Sequence, residues 1–147
     1  MKFLILNGPN LNLLGLREPE LYGKRDYAAL LSYLHEVCAS EGIAETVRQS
    51  NHEGELVDII QDAYGKYDAI VINPAAYTHT SIAIADALKA VALPAVEVHL
   101  TDISKREAYR QISYTSEACL KTYMGLGFEG YAEAIRFLKK HLTGGTL

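Results

Sequence analysis

The sequence is poor in cysteine, and its 2 cysteines, Cys38 and Cys119, stand alone. Their isolation excludes the close-spaced thiols of a zinc site or a redox pair. Both read as buried small hydrophobes, Cys38 on the apolar side of a helix and Cys119 opening a strand. No apolar run reaches the length needed to cross a bilayer, so insertion into a membrane is not expected. The first apolar run, Met1 to Asn7, lacks a cationic region, a long hydrophobic stretch and a small-residue cleavage site. It is read as a strand, and a cytoplasmic location is expected. No Lys/Arg cluster offsets the formal net charge of -4, which removes the electrostatic footprint of a nucleic-acid partner. No repeat, low-complexity tract or Pro/Gly-rich linker divides the chain. With 49% hydrophobic and 22% charged residues, the 147 residues are expected to fold as one catalytic domain over 1–147.

What is present is a regular alternation. Apolar runs suited to buried strands occur at Phe3 to Leu6, Ala44 to Val47, Ala69 to Ile72, Ala95 to Val98 and Leu120 to Met124. Helical patterns lie between and after them at Tyr27 to Ser40, with Asp26 as a cap, at Glu53 to Tyr64, at Ser81 to Val91 and at Tyr131 to His141. Alternation with short connections implies right-handed crossovers and a parallel sheet covered on both faces. The expected fold is α/β, a flavodoxin-like three-layer, doubly wound sheet of five strands in the order 2-1-3-4-5.

Ligands of such sheets collect beyond the carboxyl ends of the strands. Three segments end there: NGPNLNLLGLREPELYG after the first strand, NPAAYTHTS after the third, and EVHLTD with KREAYRQISY at the fourth. The first is too long for an ordinary strand-to-helix connection and reads as a lid carrying Arg17, Glu18 and Tyr22. Together the segments offer amides (Asn10, Asn73), imidazoles (His79, His99), guanidinium groups (Arg17, Arg106, Arg110), a phenol (Tyr22) and carboxylates (Asp86, Glu97). That set suits a polar anion. Taken alone, Asn7 to Asn10 reads as a turn, Tyr22 as one of 10 tyrosines and Arg17 as a solvated charge. His79 and Asp86, seven apart, either share one face of the third helix or decorate its solvated side. Glu97 and His99 are more telling: two apart on an apolar strand, they project to one face, and an idle charge there costs too much.

The segment Gly125 to Gly130 spells GxGxxG, but the chain ends before the further strand and acidic residue of a dinucleotide fold could follow, so tight packing at the last helix is preferred. A flavin site would call for a Ser/Thr-rich first loop and a phosphoacceptor domain for carboxylates after strands one and three; both loops are Asn-rich instead. A metal set of His79, His99 and Asp86 fits by ligand type, without any close-spaced His pair to support it. A pocket that only binds small carboxylates is the non-enzymatic alternative.

NGPNLNLLGLREPELYG, NPAAYTHTS, EVHL and GLGFEGY, in this order and over essentially the whole chain, resemble the blocks of the type II 3-dehydroquinate dehydratases, or type II dehydroquinases. The resemblance implies a flavodoxin-like fold and dehydration of 3-dehydroquinate to 3-dehydroshikimate through an enolate, a hydro-lyase reaction of aromatic amino acid biosynthesis or of quinate breakdown. It implies Tyr22 as the base at C2, Arg17 as the lid residue that stabilises the transition state, and His99 as the acid at the departing C1 hydroxyl, with Glu97 beside it. Asn10 matches the amide that holds a water near the enolate oxygen. Asn73, His79, Asp86, Leu100, Thr101 and Arg110 match substrate-binding positions, and Arg106 another basic position near the site. Neither a metal nor a redox cofactor is implied, and the partner implied is a homododecamer of four trimers. No lysine occupies a matching position in the site loops, which argues against imine chemistry; Lys105, the nearest, reads as solvated. The chain departs from the family after His99. Thr101, Asp102 and Ser104 stand where a Ser-Asn pair and then a His are usual, and Gln111 and Ile112 replace the histidines after Arg110.

Overall fold

The computed structural model describes residues 1–16 and 25–145. Five parallel strands, β1 (Lys2–Asn7), β2 (Ala44–Gln49), β3 (Ala69–Asn73), β4 (Ala95–His99) and β5 (Lys121–Met124), pair in the order β2-β1-β3-β4-β5. This is the expected doubly wound order. Its crossovers reverse direction between β1 and β3, so the connections that leave the ends of these two strands diverge and open a crevice there.

Among the described residues, four α-helices cover the sheet: α1 (Tyr27–Glu41), α2 (Glu53–Asp62), α3 (Ile82–Val91) and α4 (Glu129–Leu142). Because side chains alternate across a strand, β1, β3 and β4 feed two separate cores. Phe3, Ile5, Val71, Val96 and Val98 pack with Leu30, Leu34, Tyr131, Ile135 and Leu138 of α1 and α4. Leu4, Leu6, Ile70 and Ile72 pack with Leu56, Ile60, Ile84 and Leu88 of α2 and α3. Each such aliphatic side chain, fully withdrawn from water, contributes about 1.5–3 kcal/mol. Among the described residues, no helix is long and apolar enough to cross a membrane.

The helix starts follow from local chemistry. Asp26 caps α1 by accepting the Ala29 N–H at 2.8 Å, and Ser81 caps α3 by accepting the Ile84 N–H at 2.9 Å. Each cap is worth about 1 kcal/mol. Ser81 is therefore a boundary and not a helical residue, and His79 lies before it in the short 3-10 turn Ala75–His79. The last strand begins at Lys121, so Cys119 and the exposed Leu120 precede it. The GxGxxG segment is a packing device, as preferred. Gly130, in the first turn of α4, lies so close to Val98 that a Cβ there would come within 3.3 Å of its Cγ1.

Candidate active site

On the three central strands the buried polar residues lie toward the carboxyl ends, with Glu97 two residues before the last residue of β4. Asn7 closes β1 and Asn73 closes β3, directly opposite one another in register. Both are buried. The Gly8 N–H donates to the Asn73 carbonyl at 2.8 Å, and a Cβ on Gly8 would overlap the carbonyl of Pro74. Only glycine allows the two strand ends to approach this closely. Two non-glycine residues at the same place adopt left-handed backbone, Asn10 at φ 69° and Ala75 at φ 53°. Asn tolerates this conformation, whereas Ala75 is strained. Two bonds stabilise the arrangement: the Asn10 N–H donates to Asn51 Oδ1 at 3.0 Å, and the Ala75 N–H donates to Asn73 Oδ1 at 3.1 Å.

Behind these amides stands Tyr131 of α4, wholly buried. Its hydroxyl donates to Asn7 Oδ1 at 2.7 Å and accepts from Asn73 Nδ2 at 3.1 Å. Asn7 Nδ2 in turn reaches the Tyr27 hydroxyl at 3.5 Å. Burial drives the Tyr131 phenol well above the ordinary tyrosine range, so it stays neutral and serves as a fixed donor and acceptor.

At the end of β4, Glu97 and His99 share one face, and His99 Nε2 lies 2.9 Å from Glu97 Oε2. Glu97 has no exposed surface and His99 almost none. Ser113 Oγ donates to Glu97 Oε2 at 2.9 Å, and Thr115 Oγ1 donates to Oε1. Burial alone would raise the Glu97 carboxyl. The bond and charge of His99, with the Thr115 and Ser113 hydroxyls, outweigh it and hold the group below the usual carboxylate range. The anion fixes the imidazole with Nε2 as its donor, which leaves Nδ1 to act on a ligand.

His79 is oriented the opposite way. Its Nδ1 lies 2.7 Å from the Ile112 carbonyl, and a carbonyl can only accept, so Nδ1 carries the proton and Nε2 is free to meet a ligand. Arg106 Nη1 donates to Thr101 Oγ1 at 3.4 Å. Arg110 Nε sits 3.2 Å from Glu107 Oε2, without the alignment of a hydrogen bond.

These groups surround a cavity of about 200 Å³ lined by Asn10, Asn73, His79, His99, Leu100, Thr101, Arg106 and Arg110, with Leu11, Leu13, Leu14 and Ile103 as apolar walls. Glu97 stands directly behind His99. Asp86 does not join them. It projects from the solvent face of α3, because Ser81 caps that helix after His79 and breaks the seven-residue spacing. The set of His79, His99 and Asp86 weighed as metal ligands is therefore not assembled, and among the described residues no group of three His, Cys, Asp or Glu is placed to hold an ion. Arg17, Glu18 and Tyr22 lie outside the described residues. Lys105 is solvated, as expected, with its ammonium 4.0 Å from Asp102. Asp102 spends its carboxylate on the following turn, accepting the Ser104 N–H at 3.0 Å.

The sequence reading missed Asn7, Tyr131, Ser113 and Thr115. A signal existed for three of them: Asn7 opens and Tyr131 closes conspicuous blocks, and Ser113 lies within KREAYRQISY. Thr115 has none, since only the fold brings it to Glu97.

The chain matches the family model described as dehydroquinase class II over residues 1–139. It is 51% identical over 143 residues to a 3-dehydroquinate dehydratase of Clostridium perfringens, covering 97% of this chain and 98% of that one. It is 48% identical to catabolic 3-dehydroquinase 2 of Aspergillus flavus, covering 96% and 94%. Its backbone superposes on the crystal structure of type II dehydroquinase from Butyrivibrio crossotus with a TM-score of 0.92, at 47% identity and with 95% and 97% of the two chains covered. Fold, site and sequence agree, and the chain belongs to the class II dehydroquinases.

Proposed function

We propose that this protein removes water from 3-dehydroquinate to give 3-dehydroshikimate. The observation that carries the reading is the buried Glu97–His99 pair at the wall of a cavity whose other polar residues are two amides, an imidazole, a hydroxyl and two guanidinium groups. In the proposed reaction Tyr22 takes the proton from C2, and the electrons of that bond form an enolate. Arg17 and a water held by Asn10 stabilise the charge on the oxygen, where aimed donors lower the barrier most. The enolate then collapses to the C1–C2 double bond as the C1 hydroxyl departs. Hydroxide is a poor leaving group, so His99 supplies a proton from Nδ1 and water leaves. Asn73, His79, Leu100, Thr101 and Arg110 hold the substrate, and Arg106 adds positive charge at the rim.

Asp86 is proposed to meet the substrate only across a contact between copies, since it faces away from its own cavity. A homododecamer of four trimers would provide such contacts, and α3 also exposes Ile82. Biosynthetic and catabolic roles use the same reaction.

The test mixes metal-free protein with 3-dehydroquinate and follows the ultraviolet absorbance of the conjugated enone. No increase over a protein-free control would overturn the reading. Tyr22→Phe should abolish turnover, and borohydride with substrate should leave activity intact. Light scattering that reports a monomer would remove the assembly.

A further inference from the structure

His99 accounts for only part of what holds Glu97. Thr115, itself fully buried, directs its hydroxyl to Oε1. Ser113 directs its hydroxyl to Oε2 at 2.9 Å. The Ser113 oxygen already accepts the Ser116 N–H at 3.1 Å, so its own hydrogen is free for the carboxylate. The Ser116 hydroxyl closes the turn on the Ser113 carbonyl at 3.0 Å. Ser113 is thereby set as a donor that reaches Oε2 most closely and Oε1 at 3.2 Å, while Thr115 donates to Oε1 with its oxygen 3.3 Å from that of Ser113.

We propose that Ser113 and Thr115 are positioning residues of the acid, whose hydroxyls support the Glu97 carboxylate at the moment His99 has given its proton away. The proposal rests on the dehydratase reading of the site. Before transfer, imidazolium and carboxylate neutralise each other. In the transfer the Nδ1–H bond breaks, an O–H bond forms on the departing hydroxyl, and His99 remains neutral with its Nε2–H on Glu97. The carboxylate is then a buried anion without a cation, which is costly unless hydrogen bonds replace the lost charge. The two hydroxyls are those bonds. Without them the neutral-imidazole state rises in energy, His99 keeps its proton more tightly, and it becomes a weaker acid.

Few other groups compete for this proton. Ile72 of β3 and Thr122 of β5 flank Glu97 in register, and α3 presents Ile84 and Leu88 to the same sheet face. Cys119 is a titratable neighbour of the carboxylate, its thiol pushed up to about 12 by burial and then by the Glu97 charge, so it stays protonated in the working range, and on the cavity side His99 shares the lining with His79, Arg106 and Arg110.

The experiment records pH profiles of kcat and KM for the full-length enzyme and for Ser113→Ala, Thr115→Val and Thr115→Ser. A hydrogen bond to a buried charge corresponds to about a tenfold effect or more. Ser113→Ala and Thr115→Val should therefore each lower kcat about tenfold, leave KM within about threefold, and move the alkaline limb of the kcat profile up by about one pH unit. Thr115→Ser restores the donor and should return the limb to its original place. A fall in kcat with an unmoved limb, or no change in Thr115→Val, would overturn the proposal. Absence of turnover in the unsubstituted enzyme would strike the dehydratase reading alone. In that case nitrogen-15 titration of the His99 ring in Thr115→Val decides: an upward move in its midpoint supports the hydroxyl pair, and an unmoved midpoint refutes it.

Discussion

Tyr131→Phe deletes one oxygen atom and leaves an aromatic ring of the same outline in the core between α1, α4 and the sheet. The hydroxyl it removes is bonded on both sides, to Asn7 Oδ1 at 2.7 Å and from Asn73 Nδ2 at 3.1 Å. Both amides are buried, Asn7 completely and Asn73 nearly so where it borders the cavity, and the space of one oxygen is too small to admit a water. Each buried polar group left short of a partner costs about 1–3 kcal/mol, so two together cost about 2–6 kcal/mol. For a chain of this length 1 kcal/mol moves Tm by about 2–4 °C, which puts the expected fall at about 4–24 °C. Circular dichroism melts at one fixed protomer concentration measure it, since any association adds to apparent stability.

The same substitution has a second readout at the site. Asn73 is anchored through Oδ1 to the Ala75 N–H and through Nδ2 to Tyr131. Losing the second anchor frees the amide to rotate, so KM for 3-dehydroquinate should rise several-fold while kcat changes less. A Tm within about 1 °C of wild type would mean that the phenol acts only as a packing ring, the usual outcome for a substitution that breaks nothing. That result, or an unchanged KM, would refute the bridge.

Three further substitutions probe the surroundings. The Glu97 carboxyl lies below its ordinary value of 4.5 in the folded protein, so it adds stability above about that pH and loses it as pH falls through the lower folded value. The Tm advantage of wild type over Glu97→Gln should therefore shrink as pH falls below about 4.5, and a constant difference would contradict a stabilised anion. Asp102→Asn keeps an oxygen for the Ser104 N–H and should leave Tm within about 1 °C, while removing negative charge near Thr101. KM for the anionic substrate should fall about threefold at low salt and show little change at high salt, where exposed charges are screened; a salt-independent change would point to loop geometry. Gly8→Ala should lower both Tm and kcat/KM, the latter more than tenfold, because the new methyl meets the Pro74 backbone; wild-type values of both would show that the strand ends separate without consequence.

The fold was legible because parallel strands covered on both faces must be apolar throughout, and Phe3 to Leu6, Ala69 to Ile72 and Ala95 to Val98 are. The limits of the strands were less so. β1, β3 and β4 each run one residue further, to Asn7, Asn73 and His99, since hydropathy stops marking a strand where its polar end is satisfied by the site. The seven-residue spacing of His79 and Asp86 resembled two helical turns, but periodicity does not register a cap, and Ser81 places the two residues on different elements. The pairing of Glu97 with His99 was readable because a strand's period of two needs no tertiary information. The roles of Arg17 and Tyr22 come from the resemblance and lie outside what the structure describes.

The parts of the site that the sequence concealed share one physical cause. Glu97 and His99 serve one another along β4, but each buried polar group at a strand end needs more partners than its own strand supplies. The remaining partners come from other elements. Tyr131, 124 positions from Asn7, crosses from α4 to serve two amides, and Thr115, 18 positions from Glu97, comes from the turn before β5. Local pattern exposes the groups that carry the chemistry, because they interrupt an apolar run. It does not expose the groups that hold them, because a hydroxyl on a loop or a tyrosine on a helix interrupts nothing. Tyr131 fixes the amides at the β1–β3 end, and Ser113 and Thr115 fix the acid at the β4 end, through hydrogen-bond sets with no member in common. Substrate positioning and proton delivery thus rest on separate supports, and each can be altered without first dismantling the other.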